Sequence, residues 1–212
     1  MLKKYKWTMI LTTLVTLSPI LFGIYFWDQL PEKMATHFNG ANAANGWSGK
    51  MFAVFGLPLL MGVLEWVCLA ATMMDPKKKN INPKVIKLML WIIPMTSVVC
   101  AICIYGVNLG MNIDIGIYIN ILMGVILIFM GNYMPKMKQN YSVGIKISWT
   151  LESEENWNRT HRLASWLYIL GGIVFLINAY FRSEVVLFTV IIVLFAVPMV
   201  YSYVLYKKEI KN

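Results

Sequence analysis

The chain has 212 residues, 58% hydrophobic and 14% charged, with a mean hydropathy of +0.62. That excludes a water-soluble domain with a polar exterior and makes lipid the natural solvent. The formal net charge of +9 invites a nucleic-acid reading, but the cations are segregated along the chain, so they are read as membrane topology and direct nucleic-acid binding is not expected.

In chain order, the first apolar run lies between Trp7 and Trp27, aromatics suited to the two edges of an interfacial belt. It exceeds a secretory h-region and lacks a small-residue cleavage site before Asp28, which predicts a retained anchor. Residues 28–50 are polar, with Pro31, Gly40, Gly46, Gly49 and several Asn, and predict a sharply turning loop outside the membrane. Residues 51–74 form the second span, ended by Asp75-Pro76 and three Lys. Spans three and four cover 88–107 and 115–130, joined by a tight turn at 108–114. Residues 131–162 form a long inside loop, 163–180 the fifth span, 181–184 a tight turn and 185–206 the sixth. Continuous apolar runs favour helices over barrel strands.

The expected fold class is therefore an all-α membrane protein, a bundle of about six transmembrane helices whose backbones approach closely at Gly62, Ala70, Ala71, Gly106, Gly110, Gly124, Gly171 and Gly172. Lys3, Lys4 and Lys6, then Lys77, Lys78, Lys79, Lys84 and Lys87, then Lys136, Lys138, Lys146, Arg159 and Arg162, then Lys207, Lys208 and Lys211 alternate with loops holding only Lys33, Lys50 and Arg182. That alternation places both termini in the cytoplasm. Residues 1–130 make an N-terminal four-span region that includes loop 28–50, and residues 131–212 the long loop and last two spans, within one membrane domain.

Cys68, Cys100 and Cys103 fall in apolar stretches, so no disulfide framework is expected, and the Cys100/Cys103 spacing reads as two small side chains on one helix face. His37 and His161 are the only histidines and are expected on opposite sides of the membrane, which argues against a metal enzyme. There is no G-x-S-x-G and no glycine-rich phosphate loop, so neither an enzyme nor a cofactor is expected.

The polar part of the long loop predicts a short amphipathic helix at the interface before the fifth span. Thr150 or Ser153 caps it, Glu152, Glu154 and Glu155 occupy its first turns, and Glu155 and Arg159 pair at i,i+4. Trp157 and His161 share one face. Two readings stand side by side: a short amphipathic helix built at the cytoplasmic interface, or Trp149 and Trp157 as belt anchors with Arg162 snorkelling and His161 merely polar. Glu65, near the middle of the second span, is costly there and is either a functional group or a buried hydrogen-bonding post, with Asn120 and Asn178 as partners from other helices.

The strings G-N-Y-M-P-K, N-Y-x-x-G-I-K, Trp149-Thr150 and E-x-x-W-x-x-x-H-R together resemble the signature of the SdpI family of bacterial immunity proteins. L-P-E-K-M-A-T-H-F-N followed by G-W-S-G-K resembles the N-terminal domain of unknown function that often precedes it. The family pattern falls on Asn132, Pro135, Lys136, Asn140, Gly144, Lys146, Trp149, Thr150, Glu154, Trp157, His161 and Arg162. The external pattern falls on Leu30, Pro31, His37, Asn39, Gly46, Trp47 and Lys50, with Ala43-Ala44-Asn45 departing from the usual turn.

The resemblance implies protection against a secreted, membrane-active antimicrobial peptide (SdpC-like). It also implies a receptor role in which a cytoplasmic repressor protein is held at the membrane. The partners are then membrane lipids, the peptide toxin and that repressor. His37, Asn39, Gly46 and Trp47 would face the toxin, or else Trp47 belongs to the outer belt and His37 satisfies a local turn. The rival reading is a small transporter or lipid-interacting protein with Glu65 in an intramembrane polar site; a third is a pure scaffold for a cytoplasmic regulator.

Overall fold

A computed structural model of the protein describes residues 2–211, with side chains from 5 to 210. The side chains of Lys3, Lys4 and Lys211, part of the expected charge alternation, lie outside those described. Six helical stretches are long and apolar enough to cross a membrane: Tyr5–Tyr25, Phe52–Met74, Pro83–Asn108, Ile115–Lys136, Glu154–Phe181 and Glu184–Ile210. The protein is a multi-pass helical membrane protein, as its composition requires. Spans three to six are longer than expected. Their charged ends, Lys84 and Lys87 in one and Glu154 to Arg162 in another, continue the helix instead of stopping it.

The elements run α1 (Leu2–Leu17), α2 (Pro19–Tyr25), β1 (Lys33–Phe38), β2 (Ala44–Gly49), a π-helical turn at Phe52–Gly56 and α3 (Leu57–Met74). Then come α4 (Pro83–Asn108), α5 (Ile115–Tyr133), α6 (Ser148–Glu152), α7 (Glu154–Phe181) and α8 (Glu184–Lys211). The first span breaks at Ser18, where Pro19 occupies the first position of the new helix and has no N–H to lose.

The chain divides into two compact units, Met1–Leu69 with Met89–Leu122, and Ala70–Leu88 with Met123–Asn212. In the first, the expected irregular loop is an antiparallel hairpin, β1 on β2, running from Lys33 opposite Gly49 to Phe38 opposite Ala44. Asn39 Oδ1 accepts the N–H groups of Ala41 and Ala43, closing the turn, and Asn42 adopts a left-handed φ of 61°. The turn is thus closed at Ala43, and Ala44 and Asn45 already belong to β2. Leu30, Met34, Ala53, Val54, Ile104 and Tyr105 form one apolar cluster under the hairpin.

In the second unit Leu127, Phe175 and Leu194 form the apolar core. There α5 and α7 pack backbone to backbone: a Cβ on Gly124 would lie 2.8 Å from the Gly172 carbonyl, and one on Gly172 would lie 2.7 Å from the Gly124 carbonyl. One heptad on, the Ser165 hydroxyl donates to the Gly131 carbonyl at 2.8 Å. Small residues give this contact because lipid supplies no hydrophobic drive between helices.

Candidate functional site

The hairpin is held from beneath by residues that do not look structural in the sequence. Asn108, the last residue of α4, accepts the Ala35 N–H through Oδ1 and donates to the Ala35 carbonyl through Nδ2, both at 2.9 Å. Its amide thus pairs with β1 as a neighbouring strand would. Asn42 donates to the Ile113 carbonyl and accepts the N–H of Ile115, tying the turn to the start of α5.

Lys50 is buried; its ammonium meets Glu32 Oε1 at 2.9 Å, donates to the Trp27 carbonyl at 3.1 Å and lies 4.9 Å from the Trp27 ring. Trp27 is therefore an anchor point for this cation. Leu30 is buried in the cluster below, while Pro31 is exposed just before β1.

What the hairpin presents is Trp47, 51% exposed with the Lys33 ammonium 5.8 Å from its ring, and exposed His37, whose Nδ1 lies 2.6 Å from its acceptor Asn45 Oδ1. Gly46 faces His37, and a Cβ there would come within 2.8 Å of the His37 Cβ. Asn39 closes the turn. Of the four expected contact residues, Trp47 and His37 offer side-chain surface, while Asn39 and Gly46 shape the backbone behind them.

The long loop is a built element rather than a free one. The helix expected before the fifth span, capped at Thr150 or Ser153 and carrying Trp157 and His161, is the first turns of α7 itself, continuous with that span, and a separate short helix, α6, precedes it. Both rings are buried, not interfacial: Trp157 is 0% exposed and His161 1%. Ser153 supplies the cap, accepting the Asn156 N–H, and Glu154 and Glu155 occupy the first turn. The expected Glu155–Arg159 pair forms at 3.2 Å.

Around the tryptophan, Nε1 donates to the Met137 carbonyl at 2.7 Å and the ring stacks on His161 with centroids 4.1 Å apart. His161 Nδ1 donates to the Trp157 carbonyl at 2.8 Å, and Nε2 accepts the Ile145 N–H at 3.0 Å. These two bonds select the neutral Nδ1-protonated tautomer. Gly144 packs on both rings at φ +113°, where a Cβ would overlap His161 Nε2. Only glycine meets both demands.

The other signature residues surround this contact. Asn140 Oδ1 accepts the N–H groups of Ser142 and Val143; Thr150 Oγ1 accepts the Ile147 N–H and donates to the Ile145 carbonyl. Trp149 packs on Tyr203 and Tyr206 of α8, with centroids 5.4 and 6.1 Å away. Lys146 donates to the Ser142 carbonyl, and Lys136 lies 5.5 Å from the Tyr133 ring. Pro135 belongs to a single 3₁₀ turn at Met134–Lys136. Asn132, Glu154 and Arg162 are exposed.

Three contributors were not legible as site residues. Asp75, read only as a helix stop, accepts the Lys77 N–H through Oδ1 and, through Oδ2, the Tyr141 N–H and Ser142 hydroxyl at 2.7–2.8 Å. Burial pushes this carboxyl up, but those hydrogen bonds outweigh it and hold it below the ordinary carboxylate value. Gln139 donates to the Thr150 and Leu151 carbonyls and accepts from Lys77. Asn156 bonds the Ser202 carbonyl and hydroxyl, fastening α7 to α8.

Glu65 is 4% exposed and accepts the Thr16 hydroxyl at 2.9 Å through Oε2. Thr16 also passes its carbonyl to the Ser97 hydroxyl at 2.8 Å. This donor is a threonine of the first span that the sequence did not single out; Asn178 exchanges bonds with Ser183.

Six apolar spans, a hydrogen-bonded hairpin and a hydrogen-bonded long loop packed on the first turns of α7 define a multi-pass membrane protein. Residues 136–202 match the SdpI/YfhL protein family, and residues 14–62 match a domain of unknown function, DUF1648. The resemblance read from the two motifs therefore holds: the hairpin falls inside one match and residues 136–162 of the long loop inside the other, with Asn132 and Pro135 just ahead of it. The chain is 24% identical over 206 residues to "Immunity protein SdpI" of Bacillus subtilis (strain 168), covering 94% of this chain and 96% of that one. No solved structure matches significantly.

Proposed function

We propose that this chain is an immunity protein that protects a bacterial cell against a secreted, membrane-active peptide. The observation that carries the reading is the end-to-end similarity to an immunity protein, 94% of one chain against 96% of the other, with both family segments in order. Its chemistry is binding rather than catalysis.

The hairpin is the toxin-facing element, on the outer side. Both termini and the loop built on Trp157 and His161 are cytoplasmic. The uneven distribution of Lys and Arg supports that orientation: the loop side carries Lys77, Lys78, Lys79, Lys138 and Lys146, whereas on the hairpin side Lys50 is neutralised by Glu32. An exposed Trp47 on a rigid two-stranded base offers an apolar, amphipathic contact at little entropic cost. A receptor role, with the 131–162 loop holding a repressor at the membrane, is the further reading that the family resemblance suggests.

The test is survival. A toxin-sensitive bacterium expressing this chain is challenged with a panel of secreted membrane-active peptides from strains that carry related immunity genes. Protection against at least one is expected; no gain against any member, with the protein present in the membrane, overturns the reading. The transporter alternative separates on Glu65→Gln, which keeps an acceptor for Thr16: an immunity protein tolerates it, and a carrier that needs the acid does not.

A further inference from the structure

Where the fourth span ends at Lys136 and the fifth begins at Glu154, the second unit encloses a polar cleft of about 460 Å3. Asn80, Lys136, Lys138, Gln139, Glu154 and Asn158 line it. Its base is fixed: Gln139 is buried and bonded to the Thr150 and Leu151 carbonyls, Asn80 donates to the Gln139 carbonyl, and the neighbouring Met137 carbonyl is held by Trp157. The cleft is thus preformed.

Its charges lack ion-pair partners, the Lys136 ammonium meeting only the Tyr133 ring. Among the described residues neither Lys136, Lys138 nor Glu154 makes an ion pair, although all three line one cavity. A simple anion there would meet the Glu154 carboxylate, and a simple cation would meet two ammonium groups. A ligand carrying both signs a few ångströms apart satisfies all three. The ends of two spans also set the cleft at the depth of lipid headgroups.

We propose that this cleft binds a phosphoamine group, a phosphate ester joined by a short link to a primary ammonium. Lys136 and Lys138 take the phosphate, and Glu154 takes the ammonium. The Asn158 amide, in reach on the next turn of α7, adds a neutral donor. The group is supplied either by an aminoalkyl phospholipid of the bilayer or by a soluble phosphoamine.

Native mass spectrometry of the full chain in detergent micelles tests this with equimolar phosphatidylethanolamine, phosphatidylglycerol and phosphatidylcholine. Retention of the ethanolamine lipid about tenfold above the other two is expected, the loss of one charge-assisted contact corresponding to roughly that factor. Lys136→Ala with Lys138→Ala removes the retention, while Lys84→Ala with Lys87→Ala, outside the cleft, leaves it. Glu154→Gln turns the preference toward phosphatidylglycerol, a result that a misfolded protein cannot produce because binding is kept. Displacement by glycerophosphoethanolamine identifies the soluble source, and resistance to it identifies the lipid. Equal retention of the three lipids, an unchanged preference in Glu154→Gln, or an equal loss in the control pair overturns the proposal.

Discussion

Replacing Gly144 by alanine attacks the long loop at the point where backbone and side-chain demands coincide. The residue is at φ +113°, and a Cβ would overlap His161 Nε2 and approach the Trp157 ring to 3.1 Å. The backbone strain costs about 1–3 kcal/mol, and forcing one carbon into a packed contact adds about 1–3 kcal/mol. His161→Ala removes the acceptor of the Ile145 N–H, at about 1–3 kcal/mol. In the double variant the alanine methyl no longer meets the imidazole, so the backbone strain and the 3.1 Å approach to Trp157 are what remain from the glycine change. Reversible unfolding in mixed micelles, followed by tryptophan fluorescence, should give a double-variant cost smaller than the sum of the singles by about 1–3 kcal/mol. Additivity within about 0.5 kcal/mol would mean that glycine and histidine do not touch, and the described packing would be wrong.

Asp75→Asn should destabilise the second unit by about 1–3 kcal/mol, since a charged acceptor of three bonds becomes a neutral one. The Asp75 carboxyl is held below its ordinary value, so its contribution is complete above about pH 4 and is lost as pH falls through the lower folded value. Unfolding titrations at pH 3 and pH 6 should show that acid-dependent loss shrinking in Asp75→Asn, and an unchanged loss would contradict the assignment. Gly124→Val should separate α5 from α7 by blocking the Gly172 carbonyl, lowering stability by about 2 kcal/mol or more; wild-type stability would show that the helices do not approach as described. Lys50→Met should loosen the hairpin by removing the donor to Trp27 and the partner of Glu32, read as faster proteolysis between residues 33 and 49 with the spans intact.

The six spans were legible because lipid exposure imposes a composition that a water-soluble fold does not share. The hairpin was not legible. Its strands carry Asn, Gly, Ser and Thr rather than a period-two apolar pattern, and what stabilises β1 is the Asn108 amide, 73 residues from Ala35. Trp157 and His161 were identifiable from the motif, yet an aromatic beside a span reads equally well as a belt residue. Burial is decided by Gly144 and the Met137 carbonyl, which come from a loop whose path the sequence does not dictate. Asp75 was hidden for a similar reason, since Asp-Pro after an apolar run already has a sufficient local meaning as a helix stop. Glu65 was conspicuous, but its Thr16 donor was not, because threonine in a span usually bonds its own helix, as Thr16 also does to the Thr12 carbonyl.

The central claim is that protection runs through the surface of the hairpin. Survival under peptide challenge should therefore be compared between wild type and Trp47→Ala/His37→Ala at matched membrane abundance. The substitutions remove exposed side chains and leave Lys50, Asn108 and Asn39 to hold the hairpin. Wild-type protection with a large loss in the variant is the predicted result. Equal survival of the two strains would contradict it.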